Sequence, residues 1–154
     1  MVDRKRYTDI VYTIIGAAME VHRVLDCRLP EAIYQEALYL ELKDRGIECR
    51  REVEIQSYYK EHILEKKYKM DFVVEDVVVE LKSVSRILPE HRAQLCSYLR
   101  LTKKPLGLLI NFGESSLIGE RWAYDDTLNQ CFIVDKQMDP IPDMDSEKLL
   151  NDKN

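Results

Sequence analysis

Asp71, Glu80 and Lys82 interrupt the stretch KYKMDFVVEDVVVELKS, which otherwise reads as two apolar strands of a hairpin. Strands buried on both faces usually run as near-continuous Val, Ile and Leu, so three charges there call for a reason. With Glu75-Asp76 as a two-residue turn, Val74 pairs with Val77, Val73 with Val78 and Phe72 with Val79, which sets Asp71 opposite Glu80. Directly paired residues share a sheet face with Cβ atoms about 4.5–5.5 Å apart, so two carboxylates aim at one point. Lys82, two residues beyond Glu80, points the same way, while Val77, Val79 and Leu81 keep the other face apolar. Like charges so placed need a partner. A divalent cation is one: Mg²⁺ takes one or two carboxylates and fills its other positions with water and phosphate oxygens. The bland alternative is a surface pairing of Lys82 with either acid on a solvated sheet edge, against which the valine-rich context speaks.

The surrounding elements must hold these groups. Ile10, Val11, Ile14, Ile15, Ala18 and Met19 recur at helical spacing between Tyr7 and Leu25. Pro30 suits the first turn of a second helix, with Glu31 after it and an apolar stripe from Ile33 to Leu42 that Gly46 stops. Strands are expected over Ile47–Ser57, Lys66–Val74 and Val77–Lys82, the first two joined by a polar turn around Tyr58-Tyr59. Pro89 opens a helix reaching Leu101, and PLGLLINF reads as a central strand, with edge strands over Trp122–Tyr124 and Cys131–Val134. This order, αβββαβ behind a first helix, predicts an α/β fold: a mixed sheet flanked by helices in one domain over residues 1–134. Residues 135–154 hold six acids against three lysines and few apolar side chains, and are expected to form a loose acidic tail.

Composition narrows the classes. With 154 residues, 45% hydrophobic and 33% charged, the chain can bury a core. No apolar run approaches the ~20 residues that span a bilayer, and the first residues carry no secretory pattern, so no membrane partner and a cytoplasmic location are expected. The four cysteines form no CxxC pair and are expected to be reduced, mostly buried thiols. A net charge of -5 argues against a protein that coats nucleic acid, yet Lys82 to Lys104 carries six cations against Glu90 alone, a local surface suited to phosphates or merely a solvated face.

Asp71 followed nine positions later by Glu80-Leu81-Lys82 resembles the D…(D/E)-x-K signature of the PD-(D/E)XK nuclease superfamily, and Gln94 with Tyr98 resembles the Q-x-x-x-Y helix motif of its exonuclease-like branch. The runs GAAMEVHRVL, RLPEAIYQEAL, VVVELKSVSRILPEHRAQLCSYLRLT and PLGLLINF look like the small bacterial GxxExxY proteins of that superfamily, over roughly Tyr12 to Phe112. Arg28 stands where that motif has glycine, while Glu31 and Tyr34 are kept. The resemblance implies a Mg²⁺- or Mn²⁺-dependent nuclease acting on nucleic acid, in this superfamily mostly DNA. Asp71, Glu80 and the Leu81 carbonyl would bind the metal, with Glu31 as a further ligand, and Lys82 would orient the attacking water. Gln94 and Tyr98 would hold the phosphate or orient Lys82; a buried tyrosine with a satisfied hydroxyl is the plainer reading of Tyr98. Glu31 equally suits a helix dipole without further role. His22 and His91 stand in no nucleophile motif. Tyr58 and Tyr59 could stack on unpaired bases or simply pack. A homodimer would let two such sites cut two strands. From another class, the same fold could be a module that binds nucleic acid or a protein with little turnover, or one whose metal is only structural.

Overall fold

The computed structural model describes residues 3–142 and 144–151. The first apolar stripe folds as α1 (Arg4–Leu25), capped by Asp3, whose carboxylate accepts the Arg6 backbone N–H, and it buries Tyr7, Val11, Ile14, Ala18 and Val21. Pro30 starts α2 (Glu31–Asp44), which buries Tyr34, Leu38 and Leu42. The strands that follow are β1 (Arg50–Ile55), the short β2 (Tyr58–Tyr59) and β3 (His62–Ile63), then β4 (Tyr68–Val74) and β5 (Val77–Lys82). Helix α3 (Pro89–Thr102) leads to β6 (Leu106–Asn111), β7 (Ile118–Asp125) and β8 (Gln130–Val134), and α4 (Ser146–Asn151) closes the order.

Six strands form one sheet in the order β1-β4-β5-β6-β7-β8, antiparallel except where α3 carries the chain from β5 to a parallel β6. Helices α1 and α2 cover one face over Phe72, Val77, Val79 and Leu81, and α3 covers the other over Val78, Leu109 and Trp122. This is the mixed α/β architecture expected of the sequence. The apolar side chains of β5 are buried on both faces, and each is worth roughly 1.5–3 kcal/mol relative to exposure, which fixes the strand that carries Glu80 and Lys82. No helix among the described residues is long and apolar enough to cross a membrane.

The structure differs from the sequence reading in several places. Strand β1 begins at Arg50 rather than Ile47, and β7 extends well beyond Trp122–Tyr124, its first four residues being exposed or half-buried and so giving no apolar signal. The polar turn after β1 forms its own two-stranded sheet, with Tyr58 opposite Ile63 and Tyr59 opposite His62. Instead of hanging loose, the tail folds back: Ile141, Leu149 and Leu150 pack on the α3-side core, and the Ser146 hydroxyl accepts the Ile133 N–H at 3.1 Å. Its Asp143 and residues 152–154 lie outside the described residues. The expectation of four thiols is also corrected. Cys96 on α3 is disulfide-bonded to Cys131 on β8, with Cα atoms 6.1 Å apart. Helix α3 lies across the sheet, so residues 35 apart in sequence meet. Cys27 and Cys49 remain free and half-buried.

Candidate active site

The β4–β5 ladder is regular only to Phe72↔Val79. At the next step side chains replace it. The Asp71 N–H donates to Glu80 Oε1 at 2.9 Å, and the Leu81 N–H donates to Asp71 Oδ2 at 2.8 Å. The expected cross-strand meeting of the two acids thus takes the form of two carboxylates standing in for backbone carbonyls. A strand residue's N–H and C=O leave on the same edge, so the Leu81 carbonyl also faces β4. On the other side of Asp71 the β1 ladder skips Glu52, which lies between the paired Arg51 and Val53 at a φ of 51°. A left-handed non-glycine residue of this kind stores about 1–3 kcal/mol, and here it borders the interrupted ladder.

Glu80 is 5% exposed. Burial, reinforced by the Asp71 charge, pushes its carboxyl up to about 9, against the opposing pull of the Asp71 N–H and Lys82. Lys82 extends from the same face of β5, toward α3, where its Nζ donates to Gln94 Oε1 at 3.0 Å. Tyr98, four residues on from Gln94 along α3, is buried, and burial with the nearby Glu80 and Asp71 charges raises its hydroxyl to about 12. Glu31 opens α2 at the surface, yet enough protein crowds its carboxyl to raise it, with Lys82 opposing and Asp71 adding to the shift. All seven residues singled out in the sequence therefore gather around one end of β5, although Glu31 makes no hydrogen bond among the described residues.

The sequence reading missed the groups that hold this cluster in place. Gln35 donates to Asp71 Oδ1 at 2.7 Å and accepts from Arg51 Nε at 3.1 Å. Its spacing of four from Glu31, on one face of α2, was the available signal. Asn111 is fully buried and its amide clasps the Val84 backbone from both sides, accepting from N–H at 3.0 Å and donating to C=O at 2.9 Å. Gly113 belongs to the same clasp: a Cβ there would meet Val84 backbone atoms at 2.1 Å. The loop after Lys82 is thereby pinned to the end of β6, and the Ser83 hydroxyl ties it to the Leu29 carbonyl at 2.5 Å. Tyr34, stacked on Phe112 at 4.6 Å, donates to the Asp26 carbonyl and accepts from the Leu29 N–H, so it staples the α1–α2 loop. In that loop Arg28 has a φ of 73°. The histidines lie in structural roles: His91 Nδ1 accepts the Leu88 N–H, and His22 Nε2 bonds the Glu114 carbonyl.

Among the described residues no ion pair neutralises Asp71 or Glu80, and no three His, Cys, Asp or Glu side chains gather as a metal cluster. Buried Glu80 and half-buried Asp71, bordered by a strand edge that presents a carbonyl, form a donor set of oxygens only, which fits a hard divalent ion that keeps several waters.

Residues 8–122 match the family model described as the PD-(D/E)XK nuclease superfamily. A solved structure titled "Crystal structure of SSO0001" is similar at 18% identity and a TM-score of 0.49, over 77% of this chain and 53% of that one. The chain thus spans about half the length of that protein. No curated protein matches it.

Proposed function

Since the chain belongs to the PD-(D/E)XK nuclease superfamily, we propose that it is a Mg²⁺- or Mn²⁺-dependent nuclease that hydrolyses phosphodiester bonds in DNA. Members of the superfamily are typically nucleases and generally use divalent metals. The observation that carries the reading is the acid pair at the interrupted end of the ladder, buried Glu80 beside half-buried Asp71, neither of them in an ion pair among the described residues, next to a lysine steered by Gln94. Asp71, Glu80 and the Leu81 carbonyl would hold the metal, with Glu31 placed to reach it through water. When bound, the metal acts as a Lewis acid on the phosphate and lowers the pKa of a water. Lys82 contributes a fixed positive charge toward the phosphate oxygens as negative charge builds in the transition state, and it orients the attacking water. Gln94 keeps that ammonium on its line, so its effect works through Lys82. Tyr98, held neutral by burial, closes the site against α3.

We also place the chain with the GxxExxY proteins. The supporting detail is Arg28, which stands where that motif has glycine and adopts the left-handed φ that glycine allows at no cost. The test is cleavage of linear duplex, closed circular and single-stranded DNA with Mg²⁺, Mn²⁺ or EDTA. Wild type should cut only with metal, and Lys82→Ala and Glu80→Ala should each reduce cutting by about 10²–10³-fold, the scale of losing one fixed transition-state charge. Equal cutting by wild type and both variants would remove these residues from the chemistry.

A further inference from the structure

We propose that the β2–β3 hairpin binds unpaired bases, so that the substrate of the candidate site is single-stranded nucleic acid; this rests on the nuclease reading above. The hairpin projects from the sheet between β1 and β4 and leaves its apolar side chains in water. Tyr58, Tyr59 and Ile63 are 61%, 59% and 59% exposed. Aromatic rings on a two-stranded ribbon normally bury against something, and here they stand beside cations instead. From Tyr58 to Lys69 there are four lysines against two glutamates. Lys60 lies over the Tyr59 ring at 5.3 Å and Lys66 over the Tyr68 ring at 5.8 Å. Rings for stacking interleaved with ammonium groups for the backbone are the two components that single-strand binding needs. A duplex buries its base faces in its own stack and offers only edges in the grooves. Exposed tyrosines therefore complement unpaired bases rather than base pairs. Because Tyr58 pairs with Ile63 and Tyr59 with His62, each face of the ribbon carries one ring.

Position connects this surface to the chemistry. The hairpin leads into the start of β4, whose first residue, Tyr68, lies three residues before Asp71. Tyr68 is 42% exposed, and its ring lies 6.2 Å from that of Tyr98, on the helix that also bears Gln94. Tyr68 thus sets a further exposed ring between the hairpin and the strand residue Asp71 in chain order, beside the helix that borders the acid pair.

The test is fluorescence anisotropy with a short labelled oligothymidylate and a duplex of equal length, in EDTA so that nothing is cut. Wild type, Tyr58→Ser/Tyr59→Ser and Lys82→Ala are compared, with cleavage in Mg²⁺ run in parallel. Wild type should bind the single strand more tightly than the duplex, and the double-tyrosine variant should lose about tenfold or more for the single strand alone. A 2-aminopurine in the strand should be quenched by wild type and by Lys82→Ala but not by the double-tyrosine variant. If wild type and the double-tyrosine variant bind the single strand alike, or neither binds it, the proposal falls, even where Lys82→Ala abolishes cutting and the nuclease reading stands. If single-strand binding depends on the tyrosines but no variant or wild type cuts, the hairpin assignment survives and the nuclease reading falls. Loss of self-association in the double-tyrosine variant, with strand binding unchanged, would assign the surface to a second copy and overturn the proposal.

Discussion

The two ends of the β4–β5 hairpin carry similar charges under opposite conditions. At the turn, Glu75 and Asp76 face solvent, and Arg6 donates to both at 3.0 and 3.2 Å while the Tyr7 hydroxyl donates to Asp76. Those pairs are open to solvent, which screens them, and every backbone rung beside them is made. At the far end, Glu80 is withdrawn from water and Asp71 is half-buried, rungs are replaced by side chains, and the nearest ammonium is engaged by an amide rather than a carboxylate. A sequence selected for stability alone would have continued the valines. The turn acids are compensated by the fold, whereas burial beside Asp71 keeps Glu80 from ionising in its ordinary range, a cost that a bound cation would relieve.

Gln35→Ala is the variant that tests this contrast most strongly. It removes the donor from Asp71 Oδ1 without touching the core, and loss of such a supporting bond should lower Mn²⁺ affinity by about 10–100-fold, read by calorimetric titration. Arg6→Ala strips the turn acids of their partner and should leave metal affinity as it is. Equal effects from the two would mean that the ends of the hairpin do not differ in kind.

The metal-free protein offers a second comparison through pH. In the unfolded chain Glu80 loses its proton in the ordinary carboxylate range; in the folded chain burial beside Asp71 delays this to about 9. Between those values unfolding releases a proton. Stability is therefore greatest on the acid side of the window and falls as pH rises, by up to ~1.4 kcal/mol per pH unit, flattening once the folded-state group has ionised near 9. Urea unfolding in EDTA should show this decline in wild type and lose most of it in Glu80→Gln. A wild-type stability that is flat between pH 5 and pH 9, or an unchanged slope in the variant, would mean that Glu80 ionises normally.

What the sequence disclosed follows the same division. The helices and the order of the core strands were legible because apolar spacing is a local signal, and the acids and lysine because they interrupt such a signal. Gln35 was not, since a polar residue on the outer side of an amphipathic helix looks like any solvated position until its partner is known. Asn111 ends an apolar run and reads as the edge of a strand, although its amide makes four bonds, two of them to the Val84 backbone in the loop after Lys82. Cys96 and Cys131 meet only through the packing of α3 on the sheet. The tail has too few apolar residues to announce a docking, yet Arg92, which pairs with Glu120 at 2.9 Å, also donates to the Leu149 carbonyl at 3.4 Å and gives it a fixed landing.

The smallest expected effect sets strain near the site against strain at the turn. Arg28 and Glu75 both hold left-handed φ values, 73° and 53°, in which a side chain costs about 1–2 kcal/mol. Glycine relieves that cost but loses about 0.4–1 kcal/mol through its freer unfolded chain. Arg28 is exposed and its side chain has no hydrogen bond among the described residues, so Arg28→Gly keeps the difference as a net gain of about 0.5–1 kcal/mol, a rise in melting temperature of about 1–4 °C. Glu75→Gly gives up the bond from Arg6 as well, so its gain should largely cancel. If instead Arg28→Gly destabilises the protein, the arginine side chain is holding the α1–α2 loop in place through a contact that offsets its strain.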